Sequence, residues 1–477
     1  MKLKWFKSNV PEKDRVPFWQ KVAYGLGGPV EGTAVWIPQT NVTPVFNIGL
    51  GMSPALVGLA LTLWRAWDGI GNIIMGHVSD NARTRWGRRR PFIVVGAVLT
   101  GLTLPLLWWA PRGWGTWPLF AWLLGSGLVF YSCFTVWSTP YYSLQLEMTP
   151  DYDERTNITA YRAIFQAVLN LFASWIIALA TLPLFSSFAD KRPDLVSGMR
   201  YISIPLAVVT IVLGLLPGLF VQEPFYATDA SKQPKQKLIP SLKQTITTKP
   251  FLVLLAIVLT KLLSYMLVGT LGFYVNAYYV CRGDIALAAK IEGLRGTLLV
   301  APNLVAIPLC TWLSTRLSKI SLLYTVASVG LVGYLSMYIF YTPAHPWLQV
   351  IPSLLISPLG VGLWLVAPAM QADIADYDEL KTGLRREGSF AAVFSWMTKV
   401  VSTVASALGG LLLVWTGFNV TQGAKQPEHV LQNLRHLYIL IPVGFLIVNV
   451  FTIRFYSLSR ERMAEIRREL EARRGAV

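Results

Sequence analysis

The stretch EPFYATDASKQPKQKLIPSLKQTITTKP, Glu223–Pro250, is the longest polar break in a chain of 477 mostly apolar residues. It contains four prolines and five lysines. Polar segments rich in proline connect domains more often than they form cores. The break therefore predicts two domains, residues 1–222 and 250–457, joined by a linker at 223–249 and followed by a basic tail at 458–477.

The composition excludes a soluble protein. Hydrophobic residues make up 53% of the chain and charged residues only 14%, whereas soluble domains carry about 25% charged residues. Helices of roughly 20–30 residues are long enough to cross a bilayer core. Twelve such runs are predicted at 20–47, 54–80, 91–110, 118–147, 157–184, 199–221, 250–280, 285–315, 320–341, 347–375, 389–416 and 431–457. We therefore predict an all-α membrane protein with twelve transmembrane helices in two six-helix bundles.

The net charge of +17 would suit nucleic-acid binding, but the distribution of the basic residues argues against it. Of 42 lysines and arginines, 29 lie in alternate loops and at the two ends, seven lie on the opposite side and six lie inside spans. Cytoplasmic loops carry this excess of positive charge. The pattern predicts cytoplasmic termini, membrane lipids as partners and no nucleic acid. The tail 458–477 is typical either of a helix on an anionic membrane surface or of a frayed, solvated end.

Charged side chains inside the spans indicate function, because an ionisable group at mid-bilayer costs at least about 2.5–3.5 kcal/mol. Glu31 lies in the first span, among glycines that allow a neighbouring helix or a ligand to come close. We expect Glu31 to bind substrate or a coupling ion. The alternative is an internal salt bridge.

The second span carries Arg65, Asp68 and Asn72 at spacings of three and four residues. These spacings place the side chains on one helix face. Carboxylate and amide oxygens beside a cation suit a proton or a hard ion. The alternative is that Arg65 and Asp68 merely neutralise each other.

The fourth and fifth spans carry residue types that suit sugars. Tyr141 and Tyr142 follow Pro140, where a helix is expected to bend and expose carbonyl groups. Tyrosine offers a flat apolar face with a hydroxyl group. Arg162 can hold two hydroxyls with its guanidinium fork, and Gln166 follows four residues later on the same face. This polar stripe predicts a cavity lining, with contact between helices as the alternative.

The second half of the chain places further cations in the spans. Lys261 and Lys399 lie at mid-span, and Lys399 is expected to compensate the carboxylates of the first half. Lys290, Glu292 and Arg295 lie near the outer end of the eighth span. We expect these three side chains to be solvated or to extend towards the membrane surface.

Two stretches carry a specific similarity to a known family: WDGIGNIIMGHVSDNARTRWGRRRPF, Trp67–Phe92, and ADIADYDELKTGLRREGSF, Ala372–Phe390. Both resemble the glycoside–pentoside–hexuronide:cation symporters, which include the melibiose permease, and the similarity extends over nearly the whole chain. The resemblance implies the major facilitator fold, a cell membrane of the bacterial inner-membrane type, and transport of a sugar or glycoside by alternating access.

The resemblance also implies roles for single residues of the first half. Asp68 matches a carboxylate used for cation or sugar contact, Arg162 matches an arginine that holds sugar hydroxyls, and Tyr142 falls at an aromatic position of the sugar site. Glu31 lies one residue from the acidic sugar ligand, which aligns with Gly32. One residue turns a side chain by about 100° around a helix, so the assignment of Glu31 is the weaker one.

In the second half, Trp364 matches an aromatic residue of the cavity, and Lys399 matches a lysine near the cation site. Sodium-using members of the family carry acids where Asn72 and Ser138 stand, so Asp68 is the one clear acid of this cluster. Fewer charges then offset ion dehydration. We therefore expect H⁺ rather than Na⁺ to be the coupling ion, bound by Asp68 or by the glutamate of the first span.

Charged residues near the cytoplasmic loops are expected to form salt bridges that close this side of the protein. An exposed pair is worth only about 0–1 kcal/mol, but a network suffices to bias two conformations. The expected gate residues are Arg155, Asp373, Asp376 and Arg385.

Other functions stay open from the sequence. The substrate could instead be an anionic sugar derivative, such as a hexuronide or a sulfonated sugar, or a lysolipid, and sugar transport could be uncoupled. A membrane enzyme is not expected, because no metal-ligand cluster, phosphate loop or nucleophile–base pair is visible. We expect no cofactor, no metal, no catalytic residue and a monomeric protein.

Overall fold

The structure is a computed structural model that describes residues 15–82, 84–149, 152–185, 194–223, 247–382, 387–419 and 422–474. Every regular element in these ranges is a helix, which confirms the predicted all-α class. The chain divides into two compact units, Met1–Pro234 (unit 1) and Lys235–Val477 (unit 2). The boundary between the units falls inside the predicted linker, whose own residues from 224 to 246 lie outside the described ranges.

Unit 1 begins with a broken helix. It consists of three short α-helices and two single-turn π-helical segments, in the order α1 Phe18–Gly25, α2 Gly28–Glu31, π Gly32–Trp36, α3 Ile37–Pro44 and π Val45–Gly49. Glycine and proline disturb the regular ladder of hydrogen bonds, and π-helical turns absorb such irregularities. The remaining helices of unit 1 are α4 Pro54–Asn81, α5 Arg90–Thr103, α6 Thr116–Met148, α7 Tyr152–Ala173, α8 Ile176–Ala180 and α9 Leu195–Phe220.

The glycines of the broken helix allow it to approach its neighbours, as the sequence predicts. A Cβ atom at Gly27 would lie 2.5 Å from the ring of Tyr141 on α6. A Cβ atom at Gly28 would lie 2.8 Å from the carbonyl oxygen of Arg162 on α7. Larger side chains would therefore push the broken helix away from α6 and α7, and Glu31 with it.

Helix α6 does not end at Pro140. It runs without interruption from Thr116 to Met148, and Pro140 lies inside it. The missing proline N–H costs one backbone hydrogen bond but does not terminate a helix that its neighbours hold in place. The side chains around Pro140 therefore keep helical spacing.

A distant carboxylate caps the N-terminus of α5. Glu223 accepts hydrogen bonds from the backbone N–H groups of Arg88, Arg89 and Arg90, at 2.8, 3.0 and 3.1 Å. A carboxylate at a helix N-terminus satisfies free donors and complements the helix dipole. Gly87 has a φ of 107°, and a Cβ atom there would lie 2.9 Å from the carboxyl group of Glu223.

The described residues of unit 2 form seven α-helices, of which α10 continues into a π-helical segment at Val275–Val280. They are α10 Lys249–Tyr274, α11 Ile285–Arg316, α12 Lys319–Phe340, α13 Ile351–Thr382, α14 Glu387–Trp415, α15 Glu428–Ile453 and α16 Arg460–Arg474. Helix α10 packs against α14 and α15, and α13 packs against α11 and α12.

The basic tail forms helix α16, which packs against α13. Its apolar residues Met463, Ile466 and Leu470 are buried. The spacing of three and four residues places them on one face. The apolar face is therefore covered by protein, which differs from both sequence-based alternatives, a membrane-surface helix and a frayed end.

Nine helical segments among the described residues are long and apolar enough to cross a membrane. The three other predicted spans are those at 20–47, 54–80 and 285–315. The first is the broken helix, and the other two form α4 and α11, which carry several charged residues. The multi-pass membrane character is thus confirmed, and the total of twelve crossings stays a prediction.

Candidate functional site

Unit 1 brings Glu31, Tyr142 and Arg162 together. The Arg162 Nη2 atom lies 3.6 Å from Glu31 Oε2, and its guanidinium carbon lies 5.1 Å from the centre of the Tyr142 ring. Glu31 Oε2 is buried and accepts no hydrogen bond from the described residues. The cluster therefore combines a cationic fork, an aromatic face and a carboxylate oxygen with a free acceptor position.

A stack of aromatic rings holds this cluster in place. Tyr141 stacks on Tyr24 of α1 at 4.6 Å and on Trp137 of α6 at 4.5 Å, and its hydroxyl donates to the Tyr24 carbonyl at 2.8 Å. Tyr141 is fully buried. It therefore joins the broken helix to α6, and the neighbouring Tyr142 is the tyrosine that faces Arg162.

Asp68 and Asn72 on α4 each accept a hydrogen bond from a threonine of α6. Thr135 donates to Asp68 at 3.0 Å, and Thr139 donates to Asn72 at 2.7 Å. Both pairs have a spacing of four residues, so each helix presents one face to the other. Ser138, which the sequence analysis places in this site, is buried and donates to neither residue. The threonines are contributors that the sequence analysis missed.

Arg65 and Asp68 form no ion pair among the described residues. Arg65 donates to the side-chain oxygen of Gln39 on α3, and Asp68 forms no ion pair in the described part of the chain. The described residues also contain no group of three or more His, Cys, Asp or Glu side chains that could hold a metal ion. Asp68 is thus a half-exposed carboxylate with one hydroxyl donor.

The other predicted site residues are distributed over both units. Gln166 is half-buried on α7 of unit 1. Trp364 on α13 has 52% of its surface exposed, and Lys399 on α14 is exposed as well; both belong to unit 2. Their roles as substrate contacts stay predictions.

The structure describes only part of the predicted gate. Asp373 is buried on α13, and its Oδ2 atom lies 2.5 Å from Lys319 Nζ in the same unit. Lys319 also donates to the carbonyl of Ala369 at 3.1 Å. Asp376 lies on the same helix, and the side chains of Arg155 and Arg385 lie outside the described residues. The gate as a whole stays a prediction.

The expectation that Glu292 and Arg295 are solvated is wrong. Arg295 Nη2 lies 2.5 Å from Glu292 Oε1, and Nη1 donates to the hydroxyls of Tyr341 at 3.2 Å and Tyr438 at 3.0 Å. Both tyrosines are buried. Tyr341 directly follows α12 and Tyr438 lies on α15, so the helical spacing along α11 could not predict this cluster.

The MFS/sugar transport protein family matches residues 23–460. The chain belongs to this family. It is therefore a multi-pass membrane transporter of the major facilitator type and not an enzyme.

Relatives of this transporter match it from end to end. A glucuronide carrier protein homolog of Escherichia coli is 26% identical, and the alignment covers 95% of each chain. An isoprimeverose transporter of Lactiplantibacillus pentosus is 24% identical over 95% of this chain and 91% of the relative. The crystal structure of a D-xylose–proton symporter superimposes with a TM-score of 0.63 at 14% identity, covering 92% of this chain and 98% of that one. The fold of this transporter is thus the major facilitator fold.

Proposed function

We propose that this transporter carries a sugar or a glycoside together with a proton by alternating access. The observation that carries the proposal is the cluster of Glu31, Tyr142 and Arg162 in unit 1. A guanidinium fork binds two neighbouring hydroxyls, an aromatic ring covers an apolar sugar face, and a carboxylate oxygen accepts one hydroxyl proton. These are the three kinds of contact that a sugar ring offers. The names of the E. coli and L. pentosus relatives support the same substrate class.

Further substrate contacts extend this site in the proposal. Gln166 follows Arg162 by one helical turn and adds an amide. Trp364 and Lys399 of unit 2 contribute an exposed aromatic ring and an exposed ammonium group. In this proposal, alternating access carries the solute across the membrane.

The coupling ion in this proposal is a proton, bound by Asp68 with Glu31 as the second candidate. Asp68 has no ion partner in the described part of the chain, and the hydroxyl of Thr135 holds its carboxylate in place, so Asp68 is available to bind a cation. A sodium ion prefers a cage of several oxygen ligands with more negative charge than one carboxylate supplies. Asn72 and its partner Thr139 add only neutral oxygens.

The proposal also covers the oligomeric state of the protein, its membrane and its orientation. The transporter acts as a monomer in a cell membrane of the bacterial inner-membrane type, with both termini in the cytoplasm and lipids as its surroundings. It binds no nucleic acid. The gate of Arg155, Asp373, Asp376 and Arg385 closes the cytoplasmic side.

Uptake into proteoliposomes tests this function. Radiolabelled methyl glycosides are offered with an inward proton gradient, with a sodium gradient and with no gradient. We expect accumulation above the external concentration with the proton gradient alone, and loss of accumulation when a protonophore is added. Equilibration at the same rate under all three conditions would contradict proton coupling and support an uncoupled facilitator. Absence of uptake of every glycoside would contradict sugar transport itself.

An Asp68→Asn variant identifies the proton site. It is expected to lose accumulation driven by the gradient while it retains exchange of labelled for unlabelled glycoside, because exchange needs no net proton movement. Asn72→Ala serves as the matched control one turn away and is expected to keep accumulation. Full accumulation by Asp68→Asn would contradict the assignment of this residue.

A further inference from the structure

Unit 2 contains a cluster of a carboxylate, a guanidinium and tyrosines that the proposed function leaves unused. Its charged members, Glu292 and Arg295, lie three residues apart on α11. Arg295 Nη1 donates to the hydroxyls of Tyr341 and Tyr438, and Arg295 Nη2 lies 2.5 Å from Glu292 Oε1. The same three residue types make up the cluster that is proposed to bind sugar in unit 1.

Neighbouring helices hold the guanidinium of Arg295 in one orientation. Tyr341 and Tyr438 are buried, and they bind Nη1 from the end of α12 and from α15. A Cβ atom at Gly272 of α10 would lie 3.2 Å from the Tyr438 ring, so the ring lies close against that helix. Because the tyrosines occupy Nη1, the other edge of the guanidinium, formed by Nε and Nη2, is the edge that serves Glu292.

That edge is only half used. Arginine and a carboxylate frequently pair through two parallel N–H···O bonds. Here Arg295 Nη2 and Glu292 Oε1 form one bond, whereas Arg295 Nε and Glu292 Oε2 are both buried and have no hydrogen-bond partner among the described residues. A buried polar group without a partner is costly. The ion pair therefore keeps one free donor and one free acceptor.

A hydroxyl group satisfies both free positions at once. It accepts a hydrogen bond from Arg295 Nε–H and donates one to Glu292 Oε2. An oxyanion or an ammonium group satisfies only one of the two, and the neutralised ion pair has no net charge to attract either. The side chains of Arg295 and Glu292 are 16% and 27% exposed, so a rotation of the carboxyl group brings Oε2 to the surface.

An exposed aromatic ring accompanies the ion pair. Tyr265 on α10 lies close enough to Arg295 and Glu292 to interact electrostatically with both, and 51% of its surface is exposed. Tyrosine offers a flat apolar face on which the CH groups of a sugar ring can pack. Water has no such face. The ring therefore favours a sugar hydroxyl over a lone water molecule at the two free positions.

We propose that Glu292, Arg295 and Tyr265 form a second hydroxyl-binding site, built by unit 2 alone, which takes a neutral sugar or glycoside molecule of its own. One solute hydroxyl bridges Arg295 Nε and Glu292 Oε2, and an apolar face of the solute covers Tyr265. Tyr341 and Tyr438 are positioning residues that orient the guanidinium. This inference rests on the proposed transport function and adds a second place at which the protein recognises its solute.

Saturation binding to the purified protein tests the site. The protein is placed in lipid nanodiscs, because glycoside detergents would compete with the solute. Equilibrium dialysis then counts the bound molecules of radiolabelled methyl β-glucoside, methyl β-xyloside and methyl α-galactoside. We expect the wild type to bind two molecules of the preferred probe.

Two substitutions remove the free groups one at a time. Glu292→Gln keeps the size of the side chain but replaces one carboxylate oxygen by an amide donor, and Arg295→Lys removes the Nε donor. Each is expected to weaken one of the two bound molecules by about tenfold or more, equal to 1.4 kcal/mol. The other molecule is expected to keep its wild-type Kd, which shows that the variant is folded.

Controls separate recognition from loss of structure. Arg316→Lys at the exposed end of α11 and Glu428→Gln at the exposed start of α15 make the same exchanges elsewhere and are expected to keep two bound molecules. The four monodeoxy analogues of the preferred probe add a second readout. One of them is expected to bind the wild type as weakly at the second site as the intact probe binds Glu292→Gln. A defect of folding would weaken all analogues alike.

The outcomes distinguish this site from the proposed function. One bound molecule in the wild type, or two in both cluster variants, would overturn the site and leave sugar transport standing, and a bridging water alone would give this result. Uptake of a probe without measurable binding would also overturn the site alone. A wild type that neither binds nor takes up any of the three probes would contradict the proposed function and this inference with it.

Discussion

At the scale of the residue, the first unit joins charged groups that the sequence places far apart. Glu31 and Arg162 meet because glycines let the broken helix contact α7, and Tyr142 faces them because its neighbour Tyr141 is buried in the aromatic stack. Helical spacing predicted which residues share a face. It did not predict that Thr135 and Thr139, and not Ser138, donate to Asp68 and Asn72.

Arg162→Lys tests the guanidinium fork. The variant keeps the charge beside Glu31 but loses the planar pair of donors, so hydroxyl binding weakens. We expect the KM for a transported glycoside to rise by about tenfold or more, equal to 1.4 kcal/mol, with little change in protein stability. Arg454→Lys, on an exposed side chain after α15, is the control. An unchanged KM for Arg162→Lys would show that the fork does not contact the solute.

At the scale of the element, carboxylates cap the N-termini of two helices in the described part of unit 1. Glu223 caps α5 from the far end of unit 1, and Asp194 caps α9 by accepting from the backbone N–H of Ser197 at 3.2 Å. Asp194 also binds Arg112, with Nη2 at 2.5 Å from Oδ2. The sequence pattern shows neither long-range contact, since Arg112 and Glu223 come from other parts of the chain.

Glu223→Ala is expected to destabilise the protein. It leaves three backbone donors of α5 without their acceptor and removes a negative charge from the helix N-terminus. Hydrogen bonds to charged groups are each worth about 1.5–3 kcal/mol, and a cap substitution costs about 1–2 kcal/mol. Thermal unfolding in detergent measures the loss. Glu465→Ala, in an exposed pair with Arg462, is the control and is expected to change little.

The Arg112–Asp194 pair is expected to make the stability of the fold depend on pH in the acid range. Burial tends to raise the pKa of Asp194, but hydrogen bonds from Arg112 and Ser197 outweigh it and hold this pKa below its ordinary value. A carboxylate with a lowered pKa stabilises the fold fully above its unfolded pKa of about 3.9 and loses this contribution as the pH falls through the folded value. Below about pH 4, we expect the free energy of unfolding of the wild type to fall. We expect a smaller fall for Asp194→Asn. Identical pH profiles for the two proteins would contradict this role.

At the scale of the whole molecule, the charged residues of the loops and those of the predicted spans give different information. The excess of lysine and arginine in alternate loops predicts the orientation of the chain in the membrane. Within the predicted spans, by contrast, charged residues meet in pairs, Glu31 with Arg162 in unit 1 and Glu292 with Arg295 in unit 2, whereas Asp68 has no ion partner in the described part of the chain.

Protease protection of terminal tags tests the orientation. With both termini in the cytoplasm, a tag at either end is expected to resist added protease in spheroplasts and to be removed in inverted vesicles. The C-terminal tag follows α16, whose apolar residues are buried against unit 2, so its loss should leave that helix intact. Cleavage of either tag in intact spheroplasts would reverse the predicted topology of that end.

The sequence by itself determined the membrane class, the all-helical fold and the division into two halves, because apolar run length and the placement of charge act locally along the chain. It also predicted that Glu31, Asp68 and Arg162 lie inside the membrane. Tertiary structure alone decided which charges meet: Glu31 with Arg162, and Glu292 with Arg295 beneath two buried tyrosines. Such pairings depend on contacts between helices that are distant in the sequence. The helical period of one segment shows which residues share a face, but not which helix packs against that face.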